Sequence, residues 1–346
     1  MGMPKEKKKG ILLNFAVVLL LYVILYVLCE GRVLSDYVKG ILMVCCISVI
    51  MATSLNITVG YLGQIALGCC GFQAIGAYCA ALISKYMAMN QILTGSGDVW
   101  RFLIATLSGG ILAGIFGVLV GIPALRLRGD YLAIITLGFG EIIRVIIQNL
   151  KFAGGVGFEQ GQAGQALIGI NRLSNLYVVF WMTVISVAIL FVFIRSRYGR
   201  AIRAIRDDEI AASASGLNTT FYKVLAFAIS AFFAGIAGGI FAHYIGSLNA
   251  ASFSWLKSVE YVIMVVFGGM GSLTGSVVAA VGLSILPEAL RSFSTYRMLI
   301  YSVALILVMI YRPTGLFGKY EFSLYRWIHS FGRKKEKTVK VSEKEG

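Results

Sequence analysis

The chain has 346 residues, 58% of them apolar and 14% charged, with a mean hydropathy of +0.82. Ordinary soluble domains carry about 25% charged residues, so the composition argues against a soluble enzyme, and disorder of the main body is excluded by the same apolar excess. The 31 Lys and Arg against 16 Asp and Glu give a formal charge of +15, but the basic residues sit in tails and between apolar runs, without the aromatic-interleaved basic patch that nucleic acid requires.

Residues 1–10 form a basic N-terminus holding Lys5, Lys7, Lys8 and Lys9. A helix needs about 20 mostly apolar residues to cross the hydrocarbon core. Runs of this kind fall at residues 11–28, 37–55, 71–89, 102–121 and 131–150, then at 176–194, 223–245, 256–267, 276–290 and 298–311. The expected fold is therefore all-α and polytopic, with about ten transmembrane helices between residues 11 and 318. The first run is too long for a signal-peptide core and no A-x-A site follows it, so it reads as a retained helix. The six cysteines (Cys29, Cys45, Cys46, Cys69, Cys70, Cys79) lie in apolar runs without Cys-x-x-Cys spacing. They read as small core residues, and no metal site is expected.

Lys and Arg set the orientation. With the N-terminus inside, the inner segments collect Lys5 to Lys9, Arg126, Arg128, the cluster from Arg195 to Lys223, and the basic tail of residues 319–346. The outer segments keep scattered single charges such as Arg32, Lys85, Arg172 and Arg291. Both termini are then inside.

Glycine interrupts three apolar segments: Gly60, Gly63 and Gly68 around Gln64; Gly138 and Gly140; and Gly268, Gly271 and Gly275 around Ser272. Non-helical backbone survives at membrane depth only where protein buries it or it lines a cavity, and paired interruptions in two halves point to a transport site. The first and third segments share a loose pattern, which an inverted repeat would explain. Close helix packing is the competing reading. It is preferred for the Gly-x-x-x-Gly pairs beginning at Gly110, Gly117 and Gly235. Glu141 and Arg144 stand three apart on one helix face and are expected to pair as a structural feature. His243 reads as a satisfied core histidine.

The most polar stretch between spans is residues 196–222. Helix formers dominate residues 201–215, Gly216 is a natural stop, and small residues such as Ala211 and Ala212 let another surface approach. A docking helix is expected there.

These stretches resemble the branched-chain amino-acid ABC transporter permease family, M-type subunit. The likeness runs from Leu55-Asn56-Ile57-Thr58-Val59-Gly60-Tyr61-Leu62-Gly63-Gln64 to Gly76-Ala77-Tyr78, and through Leu125-Arg126-Leu127-Arg128-Gly129-Asp130-Tyr131. It continues in Gly199-Arg200-Ala201, Gly216-Leu217-Asn218, Phe267-Gly268-Gly269-Met270-Gly271-Ser272-Leu273-Thr274-Gly275 and Tyr311-Arg312-Pro313-Thr314-Gly315. Urea and short-chain amide permeases look similar. The resemblance implies a subunit of an ATP-driven importer in a bacterial cytoplasmic membrane, paired with a second permease subunit, two ATP-binding subunits and an extracytoplasmic solute-binding protein. Residues 196–222 would be the cytoplasmic coupling loop. Arg203, Arg206, Glu209, Ala211, Ala212 and Gly216 would meet the ATPase, although Ile210 departs from the usual E-A-A-x-x-x-G form.

The chain lacks a G-x-x-x-x-G-K-[ST] phosphate loop, since Gly318-Lys319 runs into Tyr320. No cofactor is expected on it; ATP and Mg belong to the partner subunits, and the chain is not expected to be an enzyme. The rival readings are a stand-alone secondary transporter and a membrane-embedded enzyme. The first would normally carry more acids or histidines in its spans. The second needs a nucleophile, acid pair or metal set that the sequence does not show.

Overall fold

The computed structural model describes residues 35–91, 97–124, 129–150 and 167–291, with scattered positions at 19–26 and 296–318. The expected spans 11–28 and 298–311 fall largely outside the described residues, as do Cys29, Arg126, Arg128 and the basic tail. The chain divides into a unit of residues 1–38 with 320–346 and a unit of residues 39–319. In the first, the Tyr22 and Tyr26 rings stand 6.3 Å apart, one helical turn along. The second carries the architecture below.

Helix α1 spans Asp36–Asn56 and widens into a five-residue π segment, Ile57–Tyr61. After irregular backbone at residues 62–68 come α2 (Cys69–Met89), α3 (Asp98–Ala124) and α4 (Asp130–Asn149). Then follow α5 (Leu176–Arg195), two short helices α6 (Arg197–Asp207) and α7 (Glu209–Ala214), and the long α8 (Thr219–Ile245). Helices α9 (Trp255–Gly268) and α10 (Leu273–Ala289) close the described fold. Among the described residues five helices are long and apolar enough to cross a membrane: α1 with its π segment, α3, α4, α5 and α8. Helix α9 and α10 have 14 and 17 residues, short of the usual span. The all-α expectation needs one small amendment: Leu167–Ile168 and Ser247–Leu248 form an antiparallel two-residue ladder.

Polar residues at the ends define these helices. The first N–H groups of a helix lack partners within it. Asn175 accepts from Tyr177 N–H, Ser196 from Gly199, Asn218 from Phe221 and Ser272 from Gly275. Asn218, which begins a glycosylation-like triplet, is thus a helix cap. Helix α8 ends on Gly246 with φ +78°, a left-handed stop that favours glycine.

The core is the packing of α2, α3 and α8. Helices α3 and α8 run antiparallel: Gly117 meets Ala231, Gly110 meets Ile236, Thr106 meets Gly239, and the Phe102 ring sits edge-on to His243 at 5.1 Å. A Cβ on Gly76 of α2 would lie 2.3 Å from Gly235, and one on Gly238 would lie 2.0 Å from the Gln73 carbonyl. With no Cβ in the way, the three backbones close on one another. The packing reading of Gly110, Gly117, Gly235 and Gly239 is what the structure shows. Cys45, Cys69 and Cys70 are buried free thiols, and Cys46 and Cys79 are half-buried.

Candidate functional site

Two of the three glycine interruptions are breaks. The first begins where α1 loosens into its π segment. Leu62 N–H donates to the Ile57 carbonyl at 2.9 Å, Gln64 N–H reaches back to Thr58 at 2.9 Å, and Gly63 takes φ +75°. The second is the turn between α9 and α10, where Gly269 has φ +114° and Gly271 φ +97°. Gly140 and Gly138 instead sit inside an unbroken α4. Two glycines cost a helix only about 2 kcal/mol together, which their apolar neighbours outweigh. Gly140 serves close approach, since a Cβ there would come within 3.2 Å of Gly68. Gly138 faces open space, with nothing within 4 Å of where its Cβ would be.

One side chain ties the two breaks together. Asn56, fully buried at the end of α1, donates its amide to the Ser272 carbonyl at 2.9 Å and to the Ser276 hydroxyl at 2.8 Å. Its carbonyl oxygen accepts Gly271 N–H at 3.0 Å. A Cβ on Gly60 would overlap that oxygen at 1.6 Å, so glycine is required for the amide to lie there. Ser272, also fully buried, caps α10. Gly268 and Gly275 face each other: a Cβ on either would lie within 2.5 Å of the other's carbonyl oxygen. Gly315 and Gly318, at the end of the resemblance, pack on Gly269.

The first break is also fastened to α4 and α9. Thr136 Oγ1 accepts Leu67 N–H at 3.1 Å, and a Cβ on Gly68 would strike the Thr136 carbonyl at 2.2 Å. Ser258 Oγ accepts Cys70 N–H at 3.1 Å. Glu141 accepts from Arg144 at 2.7 Å and, through its second oxygen, from Trp255 N–H at 3.0 Å. The expected pair therefore exists and also caps α9. Arg144 extends the polar stripe to Gln148 at 3.5 Å. The Gln64 side-chain oxygen is buried beside the first break with no partner among the described residues.

The polar segment folds as two helices where one was expected. Asp208 divides them: its carboxylate accepts Ile210 N–H at 2.8 Å and Ala211 N–H at 3.0 Å, the local bonding by which Asp ends one helix and starts another. Gly216, at φ +83°, ends α7, and Leu217 N–H reaches back to the Ala212 carbonyl, the Schellman pattern. Helix α6 buries Ala201, Ile202 and Ile205. On its other faces Arg203 lies over the Tyr61 ring at 5.1 Å and donates to the Ile194 carbonyl at 3.1 Å. Arg206 donates to the Gly60 carbonyl. Its Cγ would stand 2.9 Å from a Cβ on Gly63, and its Nη1 3.2 Å from one on Gly271. Glu209 is held by Lys223 of α8 at 2.5 Å. Ala212 is buried, whereas Ala211 and Gly216 are exposed.

The structure thus brings Arg206, Gly60, Gly63 and Gly271 to one place, with Arg203 one turn away. It adds residues the sequence reading passed over. Asn56 and Lys223 are polar groups at the edges of apolar runs, which was the available signal. Ile210 looked like a departure from a motif; it is 75% exposed on α7, an apolar side chain offered outward.

Buried small-residue seams, backbone breaks sunk among helices and a polar helical hairpin resting on those breaks define a membrane transport subunit. A family model described as branched-chain amino acid transport system, permease component, matches residues 37–311. The chain belongs to that family and is an integral membrane protein with a permease role. It is 37% identical over 297 residues to the high-affinity branched-chain amino acid transport system permease protein LivM of Salmonella typhimurium, covering 78% of this chain and 67% of that protein. Identity to the LivM protein of Escherichia coli K12 is 36% over the same coverage. The LivH permease protein of that strain is 28% identical over 79% of this chain and 91% of its own length. No solved structure matches.

Proposed function

We propose that this chain is a permease subunit of an ATP-driven importer that carries branched-chain or related amino acids across a bacterial cytoplasmic membrane. The observation that carries the proposal is the convergence of the polar hairpin α6–α7 on both backbone breaks through Arg206. A stand-alone transporter has no use for an exposed helical hairpin seated on its breaks. Similarity to LivM and LivH, two permease proteins of one organism, supports a second permease subunit as partner. Two ATP-binding subunits, holding ATP and Mg, and an extracytoplasmic solute-binding protein complete the assembly.

In this reading α7 is the docking element, presenting Ile210 and Ala211 to the ATP-binding subunit, with the hairpin and both termini cytoplasmic. The basic cluster from Arg195 to Lys223 supports that orientation. The path runs beside the two breaks and the open face of α4 at Gly138. A small zwitterion suits a path with buried amide and hydroxyl groups and few charges. ATP-driven closure of the partner subunits would tilt the hairpin and exchange outward- and inward-open states.

Replacing the whole hairpin would remove buried Ile202 and Ile205 and damage the fold, so surface changes make the cleaner test. Affinity purification of the detergent-solubilised chain should recover a second permease and ATP-binding subunits. Ile210→Asp and Ala211→Asp, both at exposed positions, should lose the ATP-binding subunits and keep the permease, with an unchanged melting temperature. Solute uptake by the chain alone in liposomes, or no ATP-binding subunit bound to wild type, would refute the proposal.

A further inference from the structure

We propose that Arg206 is the positioning residue through which the hairpin moves both breaks at once, a clasp whose hold on the Gly60 carbonyl differs between the two states of the transport cycle. The inference rests on the coupling reading above and goes beyond it by naming the atoms that carry the motion.

The argument begins at the end of α1. A helix that stops leaves its last carbonyls without intrahelical partners, and its C-terminal end carries partial negative charge. The Gly60 carbonyl belongs to that last turn, and the Arg206 guanidinium donates to it. This is a charge-assisted bond, stronger and more directional than a neutral one. It spans 146 residues of sequence, so it joins separate elements and does not arise from local folding.

The rest of the side chain is placed as tightly. Its stem lies against Gly63 and its Nη1 against Gly271, at distances that a Cβ on either glycine would crowd. One arginine therefore touches the first break at two points and the second break at one. Asn56 binds Gly271, Ser272 and Ser276 to the end of α1, so the two breaks form one piece. A pull at Gly60 is passed to the α9–α10 turn without needing a separate contact.

The hairpin end of the device has a joint. Asp208 makes a joint between α6 and α7 with extended backbone, φ −155° and ψ 110°. Helix α7 beyond it is short and mostly exposed. Displacement of α7 reaches Arg206 two residues before that joint. Arg203, over the Tyr61 ring, keeps α6 in register with the π segment while Arg206 shifts. Positively charged side chains with fixed forks suit such a role, because a guanidinium can exchange one carbonyl partner for another without losing its charge.

A purely structural cap would affect stability alone; a clasp must affect coupling. The transporter is to be purified with its co-purifying subunits and reconstituted in liposomes as wild type, Arg206→Gln, Arg206→Lys and Arg203→Gln. ATP hydrolysis and uptake of radiolabelled leucine are then measured together. Arg206→Gln should keep its ATP-binding subunits and hydrolyse ATP, while uptake per ATP falls about tenfold, the shift expected when one charge-assisted hydrogen bond is lost from one of two states. Arg206→Lys, which keeps a charge and a donor, should lie between Arg206→Gln and wild type, and Arg203→Gln should lose less than Arg206→Gln. Equal uptake per ATP in wild type, Arg206→Lys and Arg206→Gln overturns the clasp while leaving the importer reading intact. Loss of uptake only in proportion to lost ATP-binding subunits also overturns it, because Arg206 would then act in docking. Failure of the wild type to hold ATP-binding subunits is a different result and sinks the underlying proposal.

Discussion

Asn56 shows how much one buried amide can decide. Its side chain binds the α9–α10 turn and the first turn of α10 through two donated bonds and one accepted bond. Removing it leaves the Gly271 N–H without that partner, and an unsatisfied buried group costs about 1–3 kcal/mol; the Ser272 carbonyl keeps the Ser276 N–H and hydroxyl. Asn56→Ala is expected to lower the melting temperature of the purified chain by several degrees and to reduce uptake, whereas Thr58→Ala, which loses one local bond to the Leu55 carbonyl, should be far milder. Equal thermal shifts in scanning fluorimetry would show that the tie between the breaks carries no special weight. The sequence displayed Asn56 as a polar residue four before Gly60, but its partners lie 215 to 220 residues away. Spacing within one helix cannot show such a bond. A second residue-scale feature resisted reading for the same reason. Arg101, 2% exposed, pairs with Asp98 at 3.2 Å while its Nε, the Thr106 hydroxyl and His243 Nε2 lack partners among the described residues. His243 is thus only half satisfied, through Nδ1 and the Gly239 carbonyl at 2.8 Å.

Among whole elements, the helices were legible and their interruptions only partly so. Apolar runs at 37–55, 102–121, 131–150, 176–194 and 223–245 became α1, α3, α4, α5 and α8 with ends shifted by a few residues. The Asn218 cap explains the earlier start of α8. Glycine alone did not mark a break: Gly60 and Gly268 do, because irregular backbone there finds partners in Asn56 and Ser272, whereas α4 runs through Gly138. That difference yields a test of the path. Many glycines near the breaks are constrained by positive φ or by contact, so a bulky replacement at Gly63 or Gly271 would strain the backbone whatever its role. Gly138 has helical backbone and open space. Gly138→Leu should leave the melting temperature unchanged or raise it slightly, since leaving glycine in a helix interior gains about 0.5–1 kcal/mol. If α4 lines the path, the same substitution should depress uptake severalfold. Normal uptake by a stably folded Gly138→Leu protein would remove this face of α4 from the path.

For the assembled bundle the question is which parts hold still. The seam of α2, α3 and α8 has glycines of Gly76, Gly109 and Gly235 in mutual contact, so its backbones approach as closely as helices can. Packed interiors of this kind resist deformation, which makes the seam a frame. Helix α4 leaves many large apolar side chains exposed, Tyr131, Ile134, Ile142 and Ile146 among them, and α6–α7 meet the breaks through Arg203 and Arg206 while burying Ile202 and Ile205. In the clasp proposal it is α6–α7 that shifts against this frame. Composition had foretold a glycine-rich helical packing, but which glycines formed the frame and which stood beside the path depended on the register between distant helices. The distinction is measurable. A Cβ on Gly235 would fall 2.5 Å from Ala113 Cβ and 2.9 Å from the Gly109 carbonyl, and one on Gly114 no nearer than 3.4 Å to any atom. Overpacking a tight core costs about 1–3 kcal/mol. Gly235→Ala should therefore lower the melting temperature by about 2 °C or more, and Gly114→Ala should not lower it, because the added methyl meets ordinary contact and alanine favours the helix. Arg206→Gln should spare the frame, changing coupling without a comparable thermal shift. If Gly235→Ala proved thermally silent, or Arg206→Gln melted as early as Gly235→Ala, the separation of a rigid frame from a moving hairpin would be wrong.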